Sequence, residues 1–254
     1  MKTLYEDLLD SLDSDDIVGT LPISGYALTN AVDSRLSRSV RWASGSTVLI
    51  EFDLGSAQSF DALAILSHNL TNAATIQLKT GSTSLFVAPI DTISITWAER
   101  NIFQEVTLSS SARYIRFEFT DNANPDGYIN VGRTIIDDVY TFPGFATVVS
   151  RDSIDRGNSR RSDTDQVYGE RRYRLQRLSV EFPRISESDR EAYEDYLEGT
   201  GGGTAHVIYL DESDRCSFDF GVKTLYVTNE EITESLELNA GRFFSTRHTI
   251  REAY

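Results

Sequence analysis

The residues of this chain that could do chemistry are scattered. The histidines are His68, His206 and His248, far apart and in no HxH or HExxH spacing, so metal-assisted hydrolysis has no ligand pair to build on. No GxSxG elbow presents a serine nucleophile. The single cysteine, Cys216, rules out an internal disulfide and a cysteine-based metal or iron–sulfur site. Asp137-Asp138 and Glu230-Glu231 are adjacent carboxylates, but with 39 acidic residues such pairs carry no weight for glycoside hydrolysis. The acidic run Asp10, Asp13, Asp15 and Asp16 lacks the ligand spacing of a calcium loop. A glycine cluster at 199–204 lies in the order helix, glycines, strand. A phosphate loop needs Gly-Lys-Ser/Thr leading into a helix, so this cluster reads as a turn. No catalytic residue, metal or cofactor is expected, and the chain reads as a non-enzyme.

What remains is recognition chemistry. Trp97 and Tyr128 lie near turns and could stack on a sugar ring; the competing reading for Tyr128 is a packed strand anchor. Arg151, Arg156, Arg160, Arg161, Arg171 and Arg172 alternate with Asp152, Asp155, Asp163 and Asp165 in a stretch with little apolar content. Two readings stay open: a solvated linker, or an excursion ordered by a neighbouring subunit through arginine–carboxylate pairs. Lysine is almost absent, with only Lys2, Lys79 and Lys223. Arginine's planar fork suits protein interfaces better than an ammonium does. A net charge of −15 argues against a nucleic-acid partner.

These residues need elements to hold them. Leu4, Leu8, Leu9 and Leu12 share one helical face and predict a helical N-terminal arm over 1–19, packed on its own domain or docked on a partner. No run approaches the roughly 18 apolar residues of a membrane span. The acidic N-terminus lacks the apolar stretch of a signal peptide, so a soluble protein is expected. Residues 20–145 read as all-β. Residues 48–55, 75–80, 90–97 and 103–108 are candidate strands, and the apolar run 62–66 suits a strand buried on both faces. Residues 114–119 alternate apolar and charged. Asn124, Pro125, Asp126 and Gly127 then form a turn, with φ > 0 expected at Gly127. Residues 128–136 read as the next strand, making a hairpin or a jelly-roll corner. Residues 146–172 are the arginine-rich linker or excursion. Residues 173–254 form a second unit of order strand, helix, strands. Its first strand ends at Pro183, and its helix is capped by Ser188 with Glu191 and stopped at Gly199.

The segment "ARYIRFEF…NPDGYINVGR", with Asn124, Pro125, Asp126, Gly127, Tyr128, Gly132 and Arg133, resembles the end of a discoidin-like (galactose-binding-like) jelly roll found in tail proteins of tailed bacteriophages. Arg41-Trp42-Ala43-Ser44 ahead of "IEFDLG" is similar to the opening of such domains. The second unit is similar to the small β-sandwich or barrel with one flanking helix of tail-tube and distal-tail proteins. The resemblance implies a mainly β chain: a discoidin-like jelly-roll sandwich, then the smaller domain. It implies a structural component of a phage tail tip or baseplate, made in the host cytoplasm and located in the virion. Its partners would be itself, in a six- or three-fold ring, and other tail proteins. The alternative is a carbohydrate-binding module that recognises a host-surface polysaccharide.

Overall fold

In the computed structural model the described residues are 1–84, 86–142, 147–155, 158–161, 167–170, 174–186, 189–201, 204–210, 215–216, 224–237 and 243–253. The first strands are β1 (Lys2–Leu4), β2 (Ile17–Gly19), β3 (Val40–Ala43), β4 (Val48–Gln58), β5 (Ala62–Leu66), β6 (Thr75–Gly81), β7 (Asp91–Ile95), β8 (Ile102–Glu105), β9 (Ala112–Thr120), β10 (Tyr128–Val131) and β11 (Arg133–Asp137). Then follow β12 (Tyr140–Thr141), β13 (Thr147–Asp155), β14 (Asn158–Arg161), β15 (Val167–Glu170), β16 (Arg174–Ser186), the helix α1 (Arg190–Thr200), β17 (Ala205–Tyr209), β18 (Arg215–Cys216), β19 (Thr224–Glu237) and β20 (Phe243–Glu252). The protein is mainly β.

The first unit is a jelly-roll sandwich. An antiparallel sheet of order β2-β4-β9-β6-β7 covers the sheet β11-β5-β8 and the two-stranded ribbon β10-β3. The period of two in β9 explains its place: Ile115, Phe117 and Phe119 are buried, while Arg116 and Glu118 point outward. Burying each such phenylalanine contributes roughly 1.5–3 kcal/mol. Phe117 and Phe119 share one core with Trp42, Phe52, Leu63 and Ile129. On the outer face Arg116 pairs with Glu51 at 2.8 Å and Lys79 with Glu118 at 2.7 Å.

The segment after β9 is a corner, not a hairpin. β9 pairs with β4 and β6, whereas β10 pairs with β3, so the turn carries the chain from one sheet to the other. Gly127 has φ +74°, as its turn position requires. The expected single strand over 128–136 is instead two strands divided at Gly132. The Gly132 amide donates to the Leu66 carbonyl at 3.0 Å. A Cβ there would lie 2.8 Å from Ser67 Cβ and 2.9 Å from that carbonyl oxygen, so only glycine admits this approach.

The N-terminal helix expected from the leucine spacing is absent. Residues 2–4 form β1, which pairs with β17 on one side and β12 on the other. Its backbone groups are satisfied by a sheet supplied from the far end of the chain, which overrides local propensity. The leucines are still buried, in two places: Leu9 joins the jelly-roll core, with Leu8 and Leu12 packed against it, and Leu4 lies between the two units.

The arginine-rich stretch is not one unstructured linker. β13 is an interior strand between β16 and β18, with Arg151 opposite Leu178 and Asp152 opposite Arg177. β14 and β15 form a separate antiparallel pair that carries Arg160 and Arg161. Backbone pairing needs no apolar side chain when the neighbouring strand is supplied, and the β-branched Thr147, Val148, Val149 and Ile154 favour it. Arg156, Arg171 and Arg172 lie outside the described residues. Pro183 does not end its strand: β16 runs on to Ser186, with a register shift between Phe182 and Ile185 that accommodates the missing donor. Ser188 also lies outside the described residues, and Asp189 is the N-cap of α1. The helix continues through Gly199 to Thr200. There, a Cβ at Gly199 would lie 2.6 Å from the Tyr5 ring.

The second unit is an eight-stranded sheet of order β12-β1-β17-β19-β20-β16-β13-β18. The helix α1 lays Tyr193 and Tyr196 on it, against Met1, Phe142, Ile208 and Leu225. His206 is buried beneath. Its Nδ1 donates to the Thr204 carbonyl at 3.2 Å, so its Nε2 accepts from the Tyr196 hydroxyl, also at 3.2 Å. Burial pushes the His206 pKa down to about 4 and keeps the ring neutral.

The two units share a core through β5, whose residues are all buried. Leu63 and Ile65 face the jelly-roll core; Ala62, Ala64 and Leu66 face Leu4, Val207 and Tyr226 of the second sheet. Phe103 stacks on Tyr209 at 4.6 Å across the same boundary. At its edge Arg133 is 2% exposed. Its guanidinium donates to Asp7 at 2.8 Å, Asp10 at 2.5 Å and the Tyr226 hydroxyl at 2.6 Å.

Two predictions follow from this packing. Gly127→Ala places a side chain at positive φ in otherwise open space, so unfolding free energy should fall by about 1–2 kcal/mol, and Gly127→Asn should lose less; urea denaturation reads both. Arg133→Met leaves the Asp7 carboxylate buried without a counter-charge and should cost about 3–5 kcal/mol. Arg133→Met with Asp7→Asn should recover part of that loss in the same measurement.

Candidate functional site

The ribbon β10-β3 places the side chains that matter. Its register sets Ile129 opposite Trp42 and Asn130 opposite Arg41. Because alternate residues share a face, Val40, Trp42, Ile129 and Val131 point into the core and are buried. Arg41, Tyr128 and Asn130 point out and are half-buried. The Arg41 guanidinium carbon sits 4.0 Å from the Tyr128 ring centroid and 4.2 Å from that of Tyr26, held between two aromatic faces. Tyr26 is brought there by a turn: its amide donates to the Ile23 carbonyl at 3.0 Å, and the Ile23 amide donates to the Arg41 carbonyl at 2.7 Å. Asn130 Oδ1 receives Ser39 Oγ at 2.7 Å and lies 3.4 Å from both Arg41 Nε and Nη2. Leu21 and Ile23 are exposed beside this cluster.

Two loops brace the ribbon through amide side chains. Asn69 Oδ1 accepts the Asn130 amide at 2.7 Å, and its Nδ2 donates to the Tyr128 carbonyl at 3.0 Å and to Asp126 at 2.8 Å. Asn124 is buried. Its Nδ2 donates to the Asn69 carbonyl at 3.0 Å and to Asp121 at 2.9 Å, and its Oδ1 accepts the Asp126 amide at 3.0 Å. The Gly127 amide closes the turn onto the Asn124 carbonyl at 3.0 Å. Asp121 also accepts the amide and hydroxyl of Thr71, each at 2.9 Å. Of the expected turn residues, Asn124 is a buried brace, while Pro125, Asp126 and Gly127 are exposed.

Trp97 and Tyr128, the two aromatic candidates, are not one platform. Trp97 is half-buried against the jelly-roll core, and its indole N–H donates to the Leu70 carbonyl at 2.9 Å. It supports the 67–74 loop from behind, whereas Tyr128 stands at the surface with Arg41. Tyr128 opens β10 opposite Ala43 and is half-buried, so it has a strand anchor's backbone place while its ring lies on Arg41. His68, in the same loop, accepts the Leu70 amide on Nδ1 at 3.2 Å, and burial pushes its pKa down to about 4.

Sequence reasoning missed Tyr26, Arg41, Asn69 and Asn130 as site residues. The alternation Val40-Arg41-Trp42 carried a signal, since a buried tryptophan turns its neighbour outward. Tyr26 and Asn69 have no local signal; only the fold brings them to the ribbon. The perturbed carboxylates lie elsewhere. Burial pushes Asp7 up to about 6 against the pull of Arg133, and pushes Asp137 up to about 7 against the amides of Glu6, Asp138 and Tyr5. The Tyr5 and Glu6 amides tie the N-terminal segment to Asp137, so these groups belong to its anchoring. No cluster of metal-ligating side chains occurs among the described residues.

No family model matches the sequence, and no curated protein matches it. Solved structures do resemble the jelly-roll half. The lectin domain of lectinolysin complexed with Lewis B antigen is 12% identical, covering 52% of this chain and 96% of that one at a TM-score of 0.43. A CBM32 module in complex with 4,5-unsaturated mannuronic acid is 21% identical, covering 47% and 92% at a TM-score of 0.37. A Streptococcus pneumoniae fucose binding module is 13% identical, covering 54% and 98% at a TM-score of 0.41.

The position of Trp97 makes a prediction. Trp97→Phe keeps an aromatic ring but loses the indole N–H and part of its packing, so stability should fall by at least about 1 kcal/mol in chemical denaturation.

Proposed function

We propose that this chain is a non-catalytic carbohydrate-binding protein, taking its sugar on the outer face of the ribbon β10-β3. The observation that carries the reading is Arg41 held between Tyr26 and Tyr128, beside Asn130 on the same face. A pyranose offers an apolar C–H face and a rim of hydroxyls. Half-buried tyrosine rings match the first; guanidinium and amide groups match the second. The tyrosine hydroxyls of residues 26 and 128 have no hydrogen-bond partner among the described residues, so they are open to a ligand. The amide web behind them pre-sets the site before binding, which lowers the entropic cost of recognition.

A second reading, a subunit of a phage tail tip or baseplate that forms a ring with itself and other tail proteins in the virion, rests on the sequence resemblance of residues 20–145 and 173–254. The shared core through β5 favours it in one respect. It would carry the ribbon rigidly on a single body, as an adsorption component requires. Mass spectrometry of purified virions and particle-size analysis of the isolated protein test this reading.

The carbohydrate reading is tested on a glycan array and by affinity electrophoresis in polysaccharide gels. Retention of the wild type is expected, with Tyr128→Ala and Tyr26→Ala each lowering affinity about tenfold, the worth of one aromatic stacking contact, without a change in melting temperature. A wild type retained by no glycan would remove the proposal.

A further inference from the structure

We infer that the ribbon site selects a sugar bearing a carboxylate, with Arg41 as the group that reads the charge; this rests on the carbohydrate reading of the same site. Within residues 1–142 every other lysine and arginine is already matched. Arg35 and Arg38 pair with Asp33, Arg100 with Glu252, Arg113 with Asp53, Arg116 with Glu51, Arg133 with Asp7 and Asp10, Lys2 with Glu105 and Lys79 with Glu118. Arg41 alone has no carboxylate within 4.0 Å. In a chain of net charge −15, an unmatched and half-buried cation stands out. The nearby carboxylate of Asp126 is turned to Asn69 Nδ2 instead.

The orientation of the fork adds to this. A guanidinium presents two bidentate edges. The Nε–Nη2 edge faces Asn130 Oδ1 at 3.4 Å, a distance too long for strong bonds. Nη1 has no partner among the described residues, which leaves the Nη1–Nη2 edge open. That edge matches the two oxygens of a carboxylate, and such charge-assisted pairs are about twice as strong as neutral ones. The Tyr26 and Tyr128 rings, 4.2 and 4.0 Å from the guanidinium carbon, hold the fork in place for such a pair. The overall charge narrows the ligand: a long polyanion would be repelled by the rest of the molecule. A single acidic residue, such as the end of a glycan chain, fits best.

Calorimetric titration of the full chain tests this with methyl galacturonoside, methyl glucuronoside and the methyl glycoside of N-acetylneuraminic acid, each beside its methyl ester. At least one acid should bind about tenfold more tightly than its ester. The preference should shrink in high salt and vanish in Arg41→Gln, with Arg41→Lys keeping only part of it. The comparison of acid with ester needs no variant, so it stands whether or not Arg41→Gln folds normally. Equal binding of acid and ester by the wild type, or an undiminished preference in folded Arg41→Gln, would overturn the inference. If neutral glycans alone bind and are lost in Tyr128→Ala, the charge preference fails while the carbohydrate reading stands. If no sugar of either kind binds, both fall.

Discussion

A guanidinium removed from water must be matched or the fold does not hold. Arg133 is that group here. It sits on β11 of the jelly roll, yet its partners are Asp7 and Asp10 of the N-terminal segment and Tyr226 of the second sheet. Three parts of the chain that are remote in sequence therefore meet at one charge. Such a cluster adds little net stability, because desolvating its members offsets much of the attraction. Burial pushes Asp7 up to about 6 even beside a guanidinium, which shows the cost directly. Arg133 Nε is buried without a partner among the described residues, a further penalty. What the cluster supplies is geometry: it ties the N-terminal segment and the two sheets to one charge.

That geometry reaches the candidate site along the chain. Arg133 follows Gly132, whose lack of a side chain lets β11 lie against Ser67 at the end of β5. Ser67 opens the loop that carries Asn69, and Asn69 holds the backbone of Tyr128 and Asn130. On the other side of Gly132 lies β10 itself. Interface and candidate site are thus separated by one glycine and one loop. Displacing β11 would move both walls of the amide web together. β5 serves the same coupling, with Leu63 and Ile65 toward one core and Ala62, Ala64 and Leu66 toward the other. The alanines let the second sheet approach closely.

Much of the jelly roll was legible because its strands obey a period of two. The alternation in β9, the continuous apolar run of β5 and the turn chemistry of Asn124–Pro125–Asp126–Gly127 each have a local physical cause. The failures share a different cause. Leucines at 4, 8, 9 and 12 fit a helical face, and nothing nearby reveals that the free edge of β17 takes residues 2–4 as a strand. β13 was hidden by its charges, since polar side chains on a strand say nothing about the neighbours its backbone will find. The site was least legible of all. Tyr26, Arg41, Asn69 and Tyr128 come from four separate segments, and no spacing in the sequence ties Tyr26 or Asn69 to the other two.

The bracing of the site also determines how it responds to its surroundings. Its central members are the asparagines at 69, 124 and 130, which do not titrate, and each bonds backbone as well as side chain. The histidine within the web, His68, is held neutral down to about pH 4 by burial. No protonation event at a histidine near neutrality can therefore loosen the loop. If the proposed site binds an acidic sugar, its response would come from the ligand's own charge and from ionic screening, which acts over about 10 Å at moderate salt. Shape is set by the amides and the two tyrosines, and charge is carried by one arginine. A candidate site divided in that way would be tunable at Arg41 without rebuilding the loops that hold it.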